Sequence, residues 1–333
     1  MERRDAPVEP IPRIWAVSDG RAGNARQAAA LARALAAAIP GGASMREIVL
    51  APRAPWRWFA PRMLPGSLFA FGMAFTDALA SPPSIAVGCG RQGALATRLL
   101  RAQGARVVQV LDPRIDPAHW DLLVVPEHDG LRGGNVLATR GSLHPVDDGW
   151  LADAREAFAR FAALPAPRTA LLLGGASRHA HFDAGAFARL ARRLDTVLAR
   201  DGGCVLATTS RRSPPQLREA LKQRYGHTPH VVWCGPEDGD NPYPGLLAWA
   251  DRIVCSPDSV NMVSEACATR APVYVFEPEH VSGRPRRFLD ALLAGGRIRP
   301  MDDRLGPFPA EPLRETARVA AEVLARLSLR TAD

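Results

Sequence analysis

Lysine is all but missing from this 333-residue chain: Lys222 is the only one among 42 lysine and arginine residues. The formal net charge is +8 and the sequence pI about 10.0. A basic balance points to nucleic acid when the cations form blocks. Here the arginines are scattered over many predicted helices, where a solvated face is their ordinary role. No nucleic-acid partner is expected, and a cleft for an anionic small molecule suits the same charge. Aromatic residues are scarce at 6%, so the core must be built mainly of Ala, Leu and Val. Cysteine is limited to Cys89, Cys204, Cys234, Cys255 and Cys267. No two of them have C-x-x-C spacing and each sits in or beside an apolar run. With the odd count, this argues against zinc, and buried free thiols in a reducing compartment are expected. No stretch reaches the ~18 apolar residues of a membrane span. The polar N-terminus lacks the apolar segment of a signal peptide, so a cytoplasmic location is expected, with peripheral contact to the inner membrane left open.

What is present is a repeated α/β rhythm. The expected organisation is a disordered lead-in over 1–12 and an N-terminal Rossmann-like domain over 13–150. A linker helix follows over 151–167, then a C-terminal Rossmann-like domain over 168–310 and a terminal helix and tail over 311–333. The first domain opens with a strand at 13–18, a polar glycine-containing loop, an Ala-rich helix at 25–39 and a strand at 46–50. The pattern restarts after Pro165-Ala166-Pro167, with a strand at 168–173 and another Gly-rich turn over 174–178. In such parallel sheets ligands bind outside the carboxyl ends of the strands. Two halves set face to face would line one cleft with those loops.

The strongest local signal is Ser256–Glu265, which follows a strand and opens a helix. Ser256, Asp258 and Ser259 are N-cap types, and Asn261 and Met262 fall in the first turn. A helix N-terminus suits a phosphate, and the Glu265 carboxylate suits the two vicinal hydroxyls of a ribose. Plain helix capping explains the same residues. Ser210, Arg211 and Arg212 form a hydroxyl- and guanidinium-rich loop after another strand, matched to phosphate oxygens; a solvated loop is the alternative. Gly174 and Gly175 allow close approach to a ligand or simply a tight turn. Asn241, in Asn241-Pro242-Tyr243, is a candidate contact to a base or sugar.

In the first domain the equivalent loop carries Asp19, Gly20, Arg21, Gly23 and Asn24. Asp19 is a candidate general base and Arg21 a candidate anion ligand, against an ordinary Asp turn. Gly88-Cys89-Gly90-Arg91-Gln92-Gly93 fits G-x-G-x-x-G, but a full β-α unit precedes it, so a dinucleotide fingerprint is disfavoured. A loop with Arg91 and Gln92 facing a ligand is the expectation. Glu127 and His128, after a further strand, form a candidate acid/base or sugar-contact pair. No second cluster completes a metal site there, and neither metal nor cofactor is expected. Residues 53–75 mix Trp, Phe and Arg, as an interfacial membrane surface or lipid-acceptor pocket does, or a core segment beside a solvated rim.

Taken in order, Ser18–Asn24, Gly88–Gln92, Asp112-Pro113-Arg114, Pro126–Gly130, Thr209–Arg212, Asn241-Pro242-Tyr243 and Asp258–Glu265 resemble the mitochondrial fission family of plants and its bacterial homologues, over roughly residues 13–300. The plant member is described as recruiting a dynamin-related protein to the mitochondrial surface. Bacterial members are described as glycosyltransferases or nucleoside-diphosphate-sugar epimerases. The resemblance implies a GT-B-like fold: two Rossmann-like parallel-sheet domains facing an inter-domain cleft, with the donor nucleotide in the C-terminal domain and the acceptor in the N-terminal one. It implies that Glu265 matches the glutamate that holds the donor ribose. Asn24 stands where His is more usual, and Asn261 where Ser is common. The activity it implies is metal-independent transfer of a sugar from a nucleotide-activated donor to a lipid-linked or glycan acceptor in cell-envelope synthesis. A nucleotide-sugar epimerase and a non-catalytic fission-type scaffold are the alternatives.

Overall fold

The computed structural model describes residues 11–175 and 179–327. The lead-in up to residue 10, and Ala176, Ser177 and Arg178 of the second Gly-rich turn, lie outside the described residues. The chain divides into two compact units, one formed by residues up to His144 together with those from Glu315 onward, the other by Pro145–Arg314.

The first unit holds β1 (Arg13–Ser18), α1 (Ala22–Ala38), β2 (Ser44–Val49), α2 (Trp56–Phe59), α3 (Met73–Ala78), β3 (Ile85–Cys89), α4 (Gly90–Ala102), β4 (Arg106–Val110), β5 (Leu122–Pro126) and β6 (Val136–Thr139). Its six strands are parallel, in the order β2-β1-β3-β4-β5-β6. Central strands such as β3 are buried along their whole length, which is why their sequences read as unbroken apolar runs. The chain leaves β1 toward β2, then returns to the other side of β1 to lay down β3. That reversal makes the β1/β3 boundary the switch point, where a crevice opens beyond the strand ends.

The second unit holds α5 (Asp148–Ala157), β7 (Arg168–Leu173), α6 (Ala184–Asp201), β8 (Cys204–Thr209), α7 (Pro215–Tyr225), β9 (Val231–Trp233), α8 (Tyr243–Trp249), β10 (Arg252–Cys255), α9 (Val260–Cys267), β11 (Val273–Val275), α10 (Gly283–Ala294) and β12 (Ile298–Pro300). Its strands are also parallel, in the order β12-β11-β10-β7-β8-β9, so the reversal falls between β7 and β10. α6 shows how sequence sets packing. Asp183 caps it by accepting the Ala186 N–H at 2.8 Å, and Gly202, at φ +69°, ends it. Its stripe Phe187, Leu190, Ala191, Leu194 and Val197 is buried against the sheet.

The boundary falls between His144 and Pro145 rather than at residue 150. The segment expected as a linker helix belongs to the second unit, where α5 packs on α8. The last helix, α11 (Thr316–Arg326), returns to the first unit: Val319, Ala320, Val323 and Leu324 are buried in its core and the helix packs along α1. Local sequence gives α11 its apolar stripe but not the sheet that stripe covers. All five cysteines are buried and unpaired.

Candidate functional site

In the second unit three strand-end loops meet at the switch point. β7 runs into Gly174 and Gly175, β8 into Ser210–Ser213, and β10 into Ser256–Ser259. Asp258 ties them together. Its Oδ1 accepts the Ser256 hydroxyl at 2.7 Å, and its Oδ2 accepts the Gly175 N–H at 2.8 Å and an Arg212 Nη2 donor at 3.1 Å. The Gly174 N–H goes to Ser256 Oγ at 2.7 Å, and the Ser213 hydroxyl donates to the Gly174 carbonyl. Ser210 Oγ lies 3.3 Å from Ser213 Oγ and accepts the Arg212 N–H at 3.2 Å.

This packing explains both glycines. A Cβ at position 174 would overlap the Asp258 carboxylate, and one at 175 would overlap the Arg212 carbonyl and lie 2.9 Å from Ser213 N. Their N–H groups therefore hold the loops together rather than point outward. The Asp258 side chain is fully buried, and both its oxygens are engaged within the protein. It acts as a strut, with its charge balanced by Arg212.

The outward groups are different. Arg211 is exposed, and among the described residues its guanidinium has no hydrogen-bond or ion-pair partner. Ser259 caps α9 by accepting the Met262 N–H at 3.4 Å, leaving the first-turn N–H groups of Val260 and Asn261 without intrahelical acceptors. Ser259, Asn261 and Met262 are half-buried. Asn241 is exposed and turns the chain by accepting the Tyr243 N–H at 3.0 Å. Glu265 is 2% exposed, and its Oε2 accepts the hydroxyl of the buried Tyr243.

Sequence reasoning missed Glu277. It follows β11 at a left-handed φ of +42°, uncommon for a residue with a side chain. Arg189 grips it at 3.0 and 2.7 Å, with His280 at 3.1 Å, and the Arg189 hydrogen bonds chiefly hold its carboxyl below the usual range. A lone Glu-Pro after a strand was the only signal.

The first unit has its own switch-point cluster. Asp19 Oδ1 accepts the Arg21 N–H at 3.2 Å and the Asn24 side-chain amide at 3.0 Å, while the exposed Arg21 Nε lies 3.4 Å from Asp19 Oδ2. The Cys89 thiol reaches Asn24 Oδ1 at 3.7 Å, and burial, reinforced by Asp19, pushes that thiol well above its ordinary range. Gly20 turns the loop at φ +73°, and Gly23 offers its carbonyl to Gln27 at 3.4 Å. A Cβ at Gly90 would overlap the Asn24 amide, and one at Gly93 would lie 3.0 Å from the Val17 carbonyl. The G-x-G-x-x-G glycines thus bring α4 close to β1. Arg91 donates to the Ala60 carbonyl at 2.9 Å and the Trp58 carbonyl at 2.8 Å, and Gln92 to the Arg57 carbonyl at 2.9 Å. Both side chains pin the segment between β2 and β3. Glu127 and His128 sit in a 3-10 turn after β5, two strands beyond β3. Among the described residues no group of three His, Cys, Asp or Glu side chains has metal-ligating geometry.

The family described as Mitochondrial fission ELM1 matches residues 22–327. The chain belongs to that family. The Mitochondrial fission protein ELM1 of Arabidopsis thaliana is 30% identical over 279 residues, covering 74% of this chain and 65% of its own length. This ELM1-family chain therefore spans just under two thirds of that plant relative. An uncharacterized protein of Rickettsia prowazekii is 22% identical over 348 residues, covering 92% of this chain and 96% of its own length. Among solved structures, the UDP-GlcNAc 2-epimerase from Methanocaldococcus jannaschii aligns with a TM-score of 0.54 at 13% identity, covering 96% of this chain and 94% of its own. Os79 from O. sativa, solved with U2F and trichothecene, aligns with a TM-score of 0.50 at 15% identity, covering 94% and 90%. At such identities the likeness establishes the fold, which is GT-B-like α/β.

Proposed function

We propose that the second unit binds the diphosphate of a nucleotide-activated sugar, and that the protein transfers that sugar to a lipid-linked or glycan acceptor. The observation carrying this reading is the convergence of the β7, β8 and β10 loops on Asp258 at the switch point. Asp258 fixes the loops. Arg211, the remaining donors of Arg212 and the N-terminal turn of α9 are then left to face an anion. These groups would stabilise the charge that develops on the leaving diphosphate. Glu265 is assigned to the ribose. Its Oε2 already accepts the Tyr243 hydroxyl in a buried setting, so the ribose hydroxyls would compete with the phenol for that oxygen. The acceptor is assigned to the first unit, with Asp19 taking the proton of its attacking hydroxyl.

A thermal-shift screen against UDP-, GDP-, CMP- and dTDP-sugars tests the reading. One class should raise the melting temperature of the wild-type chain and not that of Glu265→Ala. No shift with any class would remove the donor site and favour a scaffold. Conversion of the free nucleotide sugar with no acceptor present would replace transfer by epimerisation.

A further inference from the structure

The segment between β2 and β3 is held from beneath and bare above. Ala60, Ala70, Phe71 and Phe75 are buried in the core of the first unit. Three side chains of α4 grip its carbonyls: Arg91 and Gln92 as described, and Arg98, which donates to Pro61 at 2.7 Å. The Trp56 indole donates to the Pro65 carbonyl at 3.0 Å, and Ser67 accepts the Leu64 N–H at 2.8 Å. This anchoring turns large apolar side chains outward. Trp58 is 60% exposed, Met73 58%, Phe59 and Phe69 48% each, Leu68 45% and Met63 43%. Six of the eight exposed large apolar residues among the described ones thus lie within 58–73. Scattered single residues are ordinary on a surface, but a cluster in one short segment marks an interaction face.

Charge selects the occupant. Between Glu47 and Asp77 the sequence holds no acidic residue. Arg53, Arg57 and Arg62 are exposed there, and none has a carboxylate partner among the described residues. Beside them Met63 shares a shallow pocket with Arg98, Arg101 and His119. A second copy of the chain would set these guanidiniums against their equivalents across a two-fold axis. An anionic bilayer surface suits both halves of the chemistry: Trp and Phe rings enter the headgroup boundary while arginines stay with the phosphates. We propose that this face, centred on Trp58, Phe59 and Phe69 and rimmed by Arg53, Arg57 and Arg62, docks the protein peripherally on anionic lipid. Among the described residues no helix is long and apolar enough to cross a membrane, so the contact lies at the surface. This inference does not depend on the donor site.

Flotation of the full chain with large unilamellar vesicles tests it. The chain should float with phosphatidylcholine vesicles containing phosphatidylglycerol and not with phosphatidylcholine alone, and raised salt should release it. Trp58→Ser/Phe69→Ser and, separately, Arg57→Gln/Arg62→Gln should each lower the bound fraction at least about five-fold. The charge variant alters only exposed side chains, so it keeps the test valid if the apolar variant melts early. Absence of binding to anionic vesicles, or equal binding by the charge variant, overturns the proposal. So does a dimer in sizing chromatography that the apolar variant converts to a monomer.

Discussion

Gly175 and Asp258, 83 residues apart in sequence, are joined by a 2.8 Å hydrogen bond from the glycine N–H to a carboxylate that solvent does not reach. The bond closes the β7 loop on the β10 loop at the switch point and leaves no room for a side chain at Gly174 or Gly175. Gly175→Ala would press on the Arg212 backbone, which cannot rotate away. It should lower stability by roughly 1–3 kcal/mol and reduce nucleotide binding at least ten-fold. Urea unfolding and calorimetric titration check the two effects separately.

Tyr243 and Glu265 make an opposing pair of demands. The phenol satisfies a buried carboxylate, so Tyr243→Phe should cost about 1–3 kcal/mol of stability. If the ribose replaces the phenol on Glu265, the same variant should bind the nucleotide sugar more tightly, because its competitor is gone. A destabilised variant with unchanged affinity would make Glu265 a structural residue only.

Asp19 holds the turn before α1 through Arg21 and Asn24. Asp19→Asn keeps an acceptor for that turn but cannot take a proton. It should leave nucleotide-sugar affinity within two-fold and lower the turnover number at least ~100-fold. Equal losses in affinity and turnover would point to a misfolded loop instead.

His230 makes a pH prediction away from both clusters. Its Nδ1 accepts the Val205 N–H at 3.1 Å, and burial, with His227 adding to it, lowers its pKa. Above the ordinary imidazole value of ~6.5, folded and unfolded chains both carry the neutral ring and this group contributes no pH dependence. As pH falls below ~6.5 the unfolded chain binds the proton first, so stability is lost until the folded value is passed. Urea unfolding from pH 7.5 down to 5 should show that decline, and His230→Asn, which keeps an acceptor, should flatten it.

The sequence spoke most clearly where a run of apolar residues ends at a turn. β1 and β7 have the boundaries their residues predict. It spoke less clearly where pattern is short or interrupted. β12 has three residues with two exposed, and α8 has prolines at both sides of Tyr243, which read as a turn. The return of α11 to the first unit is a tertiary fact that no local pattern encodes. At the site, residue types revealed the loops but not their wiring. Asp258, Gly174 and Gly175 look in sequence like ligand contacts, whereas their bonds run to one another. Arg91 and Gln92 look like a cleft rim, whereas their bonds run to the Trp58 segment. A polar side chain that faces a ligand and one that staples a loop have the same spelling.

The central claim, that the Arg211 side of this cluster receives a diphosphate, is tested most directly by calorimetric titration of the nucleotide sugar that stabilises the wild-type chain. Arg211 is exposed and, among the described residues, its side chain bears no structural bond, so Arg211→Ala should change stability by no more than about 0.5 kcal/mol. The account predicts that it nevertheless weakens binding at least ten-fold, with Arg211→Ala/Arg212→Ala weaker still. A double variant that folds and binds with wild-type affinity would contradict it.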